Sequence, residues 1–385
     1  MSNQDQDPKN QEVVENRALN IWEALIPIFA LVGMLAYNVL VFGDDALSGS
    51  NQFILLLGAA VAALVGFFNK TSFETMMEEV AQNIKSTAGA ILILLMVGAL
   101  AGTWLVSGII PTMIYYGLQI LNPSIFLAAC VVICAIISVA TGSSWTTSAT
   151  VGIALIGIAN ALGISLGMTA GAILSGAYFG DKLSPLSDTT NLAPAMAGTD
   201  LFTHIQYMLF TTVPTVSITL IVFIIIGLNI ETSGTADTSA ILASIDDAFT
   251  ISPWLFVVPA IVIFMIIKKT PPLIALLIGT ILGGIAALIF QPQIIAGLGG
   301  SESLTFESGY KGIMNAITVD TAIETTNENL NDLFAASGMA GMLGTIWLIL
   351  CAMTFGGVMD AIGALSRISA FMLNLFESTF GLFAS

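Results

Sequence analysis

The sequence has 385 residues, 56% of them hydrophobic and only 9% charged, against roughly 25% charged in an average soluble domain. A water-soluble fold cannot hide that much apolar surface, so the length counts membrane segments rather than soluble domains. A formal charge of −16, from 9 basic and 25 acidic residues, argues against nucleic acid as a partner, and the single histidine, His204, excludes a histidine-based metal cluster.

Residues 1–20 read as a polar, acidic, cytoplasmic tail with no basic n-region or cleavage signal. Apolar runs long enough to cross about 30 Å of hydrocarbon follow at 24–42, 52–68, 88–107, 124–140, 147–162, 205–230, 252–267, 271–290 and 339–359. Weaker runs lie at 109–121, 165–179 and 364–384. The expected fold is all-α, a polytopic transmembrane helical bundle of about 10–12 segments, since a barrel would show short alternating strands. The run 109–121 opens at Pro111 and closes at Asn122-Pro123, which predicts a re-entrant or half-spanning piece. Loop 291–333 reads as solvated, with a surface helix or lid near 309–321.

Lys9, Arg17, Lys70, Lys85, Lys268, Lys269 and Arg367 fall on one side if 109–121 does not cross, while the acidic loops fall on the other. The basic side is cytoplasmic by the positive-inside rule. The organisation expected is a first membrane half at 21–230, an acidic external loop at 231–250 and a second half at 251–385. Gly163, Gly167 and Gly171, like Gly279 and Gly283, recur at every fourth residue, a spacing that lets helices approach closely in lipid. Cys130, Cys134 and Cys351 sit in apolar runs and read as small buried hydrophobes.

Two stretches break the rule that membrane-depth sequence is apolar. Residues 141–150 run Thr-Gly-Ser-Ser-Trp-Thr-Thr-Ser-Ala-Thr between two hydrophobic helices. Seven hydroxyls in ten residues, opened by a glycine, fit an unwound helix junction whose carbonyls and hydroxyls could ligate a small hard cation, or else a polar turn at the surface. The second stretch, 178–194, holds Asp181, Lys182 and Asp188 in a Ser/Thr/Asn-rich run bounded by prolines. It reads either as an Asx-turn with a helix cap or as an ion path, because acids at membrane depth are costly unless partnered or hydrated. Asp360, at the end of the run 339–359, is a third candidate acid.

The runs Gly142-Ser143-Ser144-Trp145-Thr146-Thr147 and Gly180-Asp181-Lys182-Leu183-Ser184-Pro185-Leu186-Ser187-Asp188-Thr189-Thr190-Asn191-Leu192 resemble the NhaC-type Na+/H+ antiporters, a group that includes sodium–malate/proton–lactate exchangers. Weaker similarity runs through 271–291 and 337–363. The resemblance implies an inverted-repeat transporter in which two broken-helix regions meet at the bilayer midplane. It implies that Thr141, Ser143, Ser144, Thr146 and Thr147 line the ion path with Thr189 and Asn191, and that Asp181 and Asp188 hold Na+ or protons. Such a member is a sodium/proton antiporter of the cell (inner) membrane, with its N-terminus cytoplasmic. Its transported partners are Na+ and H+, with small organic acids as the alternative, and it works in the bilayer with no cofactor, as a monomer or a homodimer. Family members continue past the equivalent of Ser385 into a partner of the Asp181–Asp188 region, so the chain is expected to be incomplete, or completed by another chain, as a transporter.

The exchange chemistry expected is competition at one carboxylate. In a poorly hydrated cavity a carboxylate keeps its proton to higher pH, and each pKa unit corresponds to about 1.4 kcal/mol, enough to couple two competing ions. Alternative classes are a passive channel, an intramembrane aspartyl protease pairing Asp181 with Asp360, and a rhomboid-like serine protease using His204. The protein is expected not to be an enzyme.

Overall fold

The computed structural model describes residues 19–120, 122–142, 144–184, 187, 190, 194, 200–229, 238–268, 270–325 and 334–375. It is a helical membrane protein that divides into two compact units, one comprising the chain up to Ile91 and from Leu343 onward, the other Leu92–Met342. By length and composition six helices can cross a membrane, and two bent pairs raise the number to eight. The run 147–162, expected to be long enough to cross, is broken and leaves a shorter apolar helix at Thr150–Ala161, and the weaker run 165–179 lies in the helix Leu166–Leu183; both belong to the second unit.

The first unit holds α1 (Ile21–Phe42), α2 (Ser50–Phe68), the opening turns of α3 (Phe73–Val106), α15 (Leu343–Ala361) and α16 (Ala364–Leu375). Small and branched apolar residues, among them Ala24, Ala59, Ala62, Val80 and Val358, form its core. Buried Asn38 ties α1 to α2, its amide donating to Ser50 and to Asn51 at 2.8 Å each. A buried amide needs such partners, because an unsatisfied one costs more than the bond returns. Asp360 lies in this unit, exposed at the end of α15.

The second unit runs from the rest of α3 through α4 (Ile109–Ile120), α5 (Phe126–Thr141), α6 (Ser144–Thr147), α7 (Ile153–Ala161), α8 (Leu166–Leu183) and α9 (Leu201–Asn229). It continues with α10 (Thr238–Ala248), α11 (Val257–Ile267), α12 (Pro272–Phe290), α13 (Pro292–Leu298) and α14 (Phe306–Thr318). Its core gathers Trp104, Leu127, Val131, Ile158, Ile173, Ile245 and Leu276. At 1.5 Å per residue, the 12 residues of α4 reach about 18 Å and cannot cross the hydrocarbon alone. With the helix that begins at Pro123 it forms a pair bent by 103°. The second bent pair, α10 with α11, turns by 84°.

Two expectations change. Gly163 is a turn residue at φ +68°, and a Cβ at Gly167 or Gly171 would meet nothing nearer than 3.9 Å, so this row is no packing seam. The seam on α8 lies at Gly176 and Gly180, where a Cβ would run into the α5 backbone at Val131 and Ala135. By contrast Gly279 and Gly283 do receive neighbours closely, Val262 and Leu100 at the first and Trp104 and Thr103 at the second. The stretch 291–333 is also more than a solvated loop. Helices α13 and α14 pack on one another, with Gly299 and Gly312 against the backbone of Ser308 and Ile295, and a two-residue ribbon pairs Thr321 with Ala336 and Ala322 with Ala335. Val106, Ala287, Ile295 and Ala316 form a small core beneath it.

Candidate functional site

The hydroxyl-rich stretch forms a helix break. Helix α5 ends at Gly142, whose φ of 68° and ψ of 23° are the left-handed geometry that closes a helix, with its N–H on the Ser138 carbonyl at 2.8 Å. The chain restarts as the single turn α6, widens to a π-helical turn at Ser148–Gly152 and then settles into α7. A π turn within a helix leaves carbonyls displaced from the ordinary ladder, which is why such turns gather at functional sites. Ser144, Thr147 and Thr150 are buried there.

Helix α8 supplies the acid. The glycines at 176 and 180 let α8 lie directly on the α5 backbone, and two interhelical hydrogen bonds fix the register. Ser138 donates to the Ala177 carbonyl at 2.6 Å, and Ser184 donates to the Val139 carbonyl at 2.8 Å. That register carries Asp181 to the break, where Ser144 Oγ donates to Asp181 Oδ2 at 2.9 Å across 37 positions of sequence. Thr190 adds a second tie, its hydroxyl donating to the Asp181 carbonyl at 2.9 Å, and its own N–H reaches Ser187 Oγ at 3.4 Å.

Of the residues expected at the site, the structure brings together Ser144 and Asp181 and buries Thr147 in the same turn. Thr141 closes α5 and Thr146 lies in α6, but their side chains, like Ser143, Asp188, Thr189 and Asn191, lie outside the described residues. Lys182 does not pair with Asp181, for the one ion pair among the described residues joins Lys311 to Glu307. Successive helical residues point about 100° apart, so the two charges leave α8 on different faces. Asp360 belongs to the other unit, and His204, at the start of α9, is half-buried. The three cysteines are buried and unpaired, as small hydrophobes are. Among the described residues no three acids, histidines or cysteines cluster as a metal site.

Ser138, Ser184 and Thr190 escaped the sequence reading. The signal for the serines was the pair Gly176 and Gly180, four residues apart, which sets the close α5–α8 contact that they bridge.

The family model described as the Na+/H+ antiporter family matches residues 176–385. The malate-2H+/Na+-lactate antiporter of Bacillus subtilis is 38% identical over 322 residues, covering 82% of this chain and 65% of the relative. The Na+/H+ antiporter NhaC of Alkalihalophilus pseudofirmus is 36% identical over 314 residues, with the same two shares of 82% and 65%. The arginine/ornithine antiporter ArcD of Halobacterium salinarum is 32% identical over 353 residues, 90% of this chain and 68% of the relative. The chain thus spans 65% of the length of the first two. No solved structure matches it. These relatives are transporters rather than enzymes, their similarity runs through both motif stretches, and the chain belongs to the Na+/H+ antiporter family.

Proposed function

We propose that the protein is a secondary antiporter that exchanges Na+ for H+ across the cell (inner) membrane, as monomer or homodimer, with its N-terminus in the cytoplasm. The observation that carries this reading is the 2.9 Å hydrogen bond from Ser144 to Asp181, which sets a carboxylate against a helix break rich in buried hydroxyls. A small hard cation needs several oxygens, at least one of them anionic, to offset its lost water. In this reading Asp181 and Asp188 carry the exchangeable charge. Thr141, Ser143, Ser144, Thr146, Thr147, Thr189 and Asn191 add neutral oxygens. A proton on the carboxylate removes the charge that holds Na+, so one site carries one ion or the other. Alternation of access moves the break with respect to the helices around it.

The relative that exchanges malate and protons for Na+ and lactate favours a second version, in which an organic acid travels with the ions. Proteoliposomes with a pH-sensitive dye, given Na+, Li+, K+, malate or lactate, separate the versions. Na+ alone should collapse a proton gradient in the first, and only Na+ with an organic acid in the second. Asp181→Asn and Asp188→Asn should each abolish coupled flux in protein that inserts normally. Ser144→Ala removes a hydrogen bond to a charged group, about 1.5 kcal/mol or more, and should weaken apparent Na+ affinity roughly tenfold. Unchanged exchange and pH profile in both aspartate variants would place the acid elsewhere, with Asp360 the next to test.

A further inference from the structure

The stretch that follows α12 carries an apolar surface that ion exchange does not use. Helix α12 is a membrane span of 19 residues, about 28 Å long at 1.5 Å per residue. It therefore fills the roughly 30 Å of hydrocarbon, and its last residue, Phe290, marks one boundary. Helix α14 returns along it. A Cβ at Gly309 would meet Leu288 at 3.4 Å, and a Cβ at Gly284 would meet Ile313 at 3.3 Å. Four residues forward in α14 match four residues back in α12, so the two helices run antiparallel. Helix α3 gives the depth a second time. A Cβ at Gly102 would run into the Ala316 carbonyl, while the next residue, Thr103, lies 3.0 Å from a Cβ at Gly283. Ala316 is thus level with Gly283, about 10 Å inside the end of α12. On the same scale Met314 lies about 7 Å inside, Tyr310 at the boundary and Phe306 just beyond it.

That depth decides what faces the exposed side of α14. Phe306, Tyr310 and Met314 recur at every fourth residue, one stripe of a helix, and are 95%, 62% and 38% exposed. On α12 Ile281, Ile285 and Ile289 form a stripe of the same kind, all three exposed. Ile285 and Ile289 each follow by one residue a position that meets α14, and Tyr310 and Met314 each follow by one residue a position that meets α12. Seen along the membrane normal, antiparallel helices wind in opposite senses. Both stripes therefore leave the contact on the same side and make one apolar surface. Its α12 half belongs to a membrane span and faces lipid. The polar groups of α14 fit the same placement. Glu307 and Lys311 pair with each other near the boundary. Below them Asn315 donates to the Leu298 carbonyl at 2.9 Å and Thr318 to the Met314 carbonyl at 2.6 Å, as donors at that depth require.

We propose that the stripe of Phe306, Tyr310 and Met314 is a lipid-binding surface, which seats α14 in the leaflet where α12 ends. Tyr310 holds the boundary, where a ring with a polar tip sits best, and Met314 lies against acyl chains. The helix is an interfacial anchor, and its partner is phospholipid. Nothing in this depends on which ion the protein carries, so it stands or falls apart from the exchange reading.

The test is the accessibility of nitroxide spin labels on single cysteines in the full-length protein, reconstituted in liposomes of phosphatidylcholine and phosphatidylglycerol. The variants are Phe306→Cys, Glu307→Cys, Tyr310→Cys, Lys311→Cys and Met314→Cys. Unsubstituted protein labelled in parallel sets the background, since Cys130, Cys134 and Cys351 are buried. Oxygen partitions into hydrocarbon, whereas a nickel chelate stays in water. The ratio of oxygen to nickel access should rise from 306 through 310 to 314, where it should stand several-fold above the ratio at 307 or 311. If Met314→Cys does not fold, the exposed neighbours 310 and 311 carry the test, with the higher ratio at 310. A ratio at 314 or 310 no higher than at its polar neighbours would return α14 to water. Low access to both reagents would mean that protein covers the stripe, a second copy if the labels broaden each other's spectra and another segment of the same chain if they do not. Each of these results overturns the proposal.

Discussion

Replacing Gly180 by alanine tests whether the α5–α8 contact positions the carboxylate. The added Cβ would sit 2.5 Å from Ser138 Cβ, 2.6 Å from the Ala135 carbonyl oxygen and 2.6 Å from the Val139 nitrogen, where ordinary contact begins near 3.4 Å. Two of these neighbours are backbone atoms of α5, so no rotamer change relieves them and the helices must part by about 0.8 Å. Overpacking of this kind costs about 1–3 kcal/mol. The same movement stretches the Ser138–Ala177 and Ser184–Val139 bonds, from 2.6 and 2.8 Å, to the edge of bonding distance. Interhelical hydrogen bonds in membranes are worth about 0.6 kcal/mol each, so the expected loss is about 2–4 kcal/mol. Ser144 and Asp181, at 2.9 Å, separate with the helices, and misplacement near 1 Å can cost a site about a hundredfold in rate. Gly171→Ala is the control, since its Cβ would meet only Phe223 Cζ at 3.9 Å; it should be neutral or gain up to about 1 kcal/mol of helix propensity. Thermal unfolding in detergent and flux in proteoliposomes are measured on both variants. The reasoning fails if Gly180→Ala unfolds with Gly171→Ala and exchanges at the wild-type rate.

Cysteine placed at position 310 should react with an impermeant maleimide added to intact cells, and cysteine at 268 should not; labelling of 268 alone reverses the proposed orientation. Glu307 accepts a hydrogen bond from Lys311 at 2.6 Å, which holds its carboxyl below the ordinary glutamate range. The support this gives the first turn of α14 is present above that range and fades as pH falls through the lowered value. Lower hydrogen-exchange protection at the start of α14 in acid, relative to the intrinsic rate at each pH and abolished by Lys311→Gln, is the expected record, and a pH-independent protection would refute it. Gly102→Ala should destabilise more than Gly180→Ala, because its Cβ would strike the Ala316 carbonyl with no side chain able to yield; equal unfolding temperatures would show that α14 can shift.

Hydropathy made the helices legible because a span must satisfy its backbone internally and its side chains in lipid, which leaves one kind of sequence. The break at residues 141–150 was legible for the converse reason, as hydroxyls and a glycine there lower the stability of a continuous helix. Helix contacts were harder to read. Gly163, Gly167 and Gly171 have the same spacing as Gly176 and Gly180, and only the neighbours that α8 meets distinguish seam from open face. Asp181 and Lys182 are neighbours in sequence, yet the turn of the helix brings only Asp181 to the break, where Ser144 reaches it. Loop 291–333 is polar enough to pass for solvated chain, yet Gly299 and Gly312 allow α13 and α14 to pack at backbone distance. In each case the missing information is which face meets a neighbour, a property of tertiary packing that periodicity cannot carry.

Gln291 shows how a bent pair is held, and it supports a prediction with a sign in pH. Its side chain, 4% exposed, copies a strand partner toward Thr250, accepting from the Thr250 N–H and donating to the Thr250 carbonyl at 3.1 Å each. Thr250 lies in the break between α10 and α11, where the helix ladder cannot satisfy these groups. Gln291→Leu leaves both unpaired, at about 1–3 kcal/mol for each group in a dry site. A polar cavity of about 640 Å³, lined by Asp246, Asp247, Thr250 and Gln291 among others, lets water reach them, so the expected loss falls to about 1–2 kcal/mol in all. Gln291→Glu keeps the shape and changes the protons. Its neutral acid can still accept from the N–H and donate to the carbonyl, while its carboxylate cannot donate and faces Asp246 and Asp247. The folded state therefore raises the pKa of the new glutamate above its unfolded value of about 4.3. Stability should be near wild type below that pH and should fall as pH rises through the raised folded value. Unfolding temperatures of wild type, Gln291→Leu and Gln291→Glu at pH 4 and pH 8 decide it. A glutamate variant that is no less stable at pH 8 than at pH 4, relative to wild type, would mean that the clasp does not hold the bend.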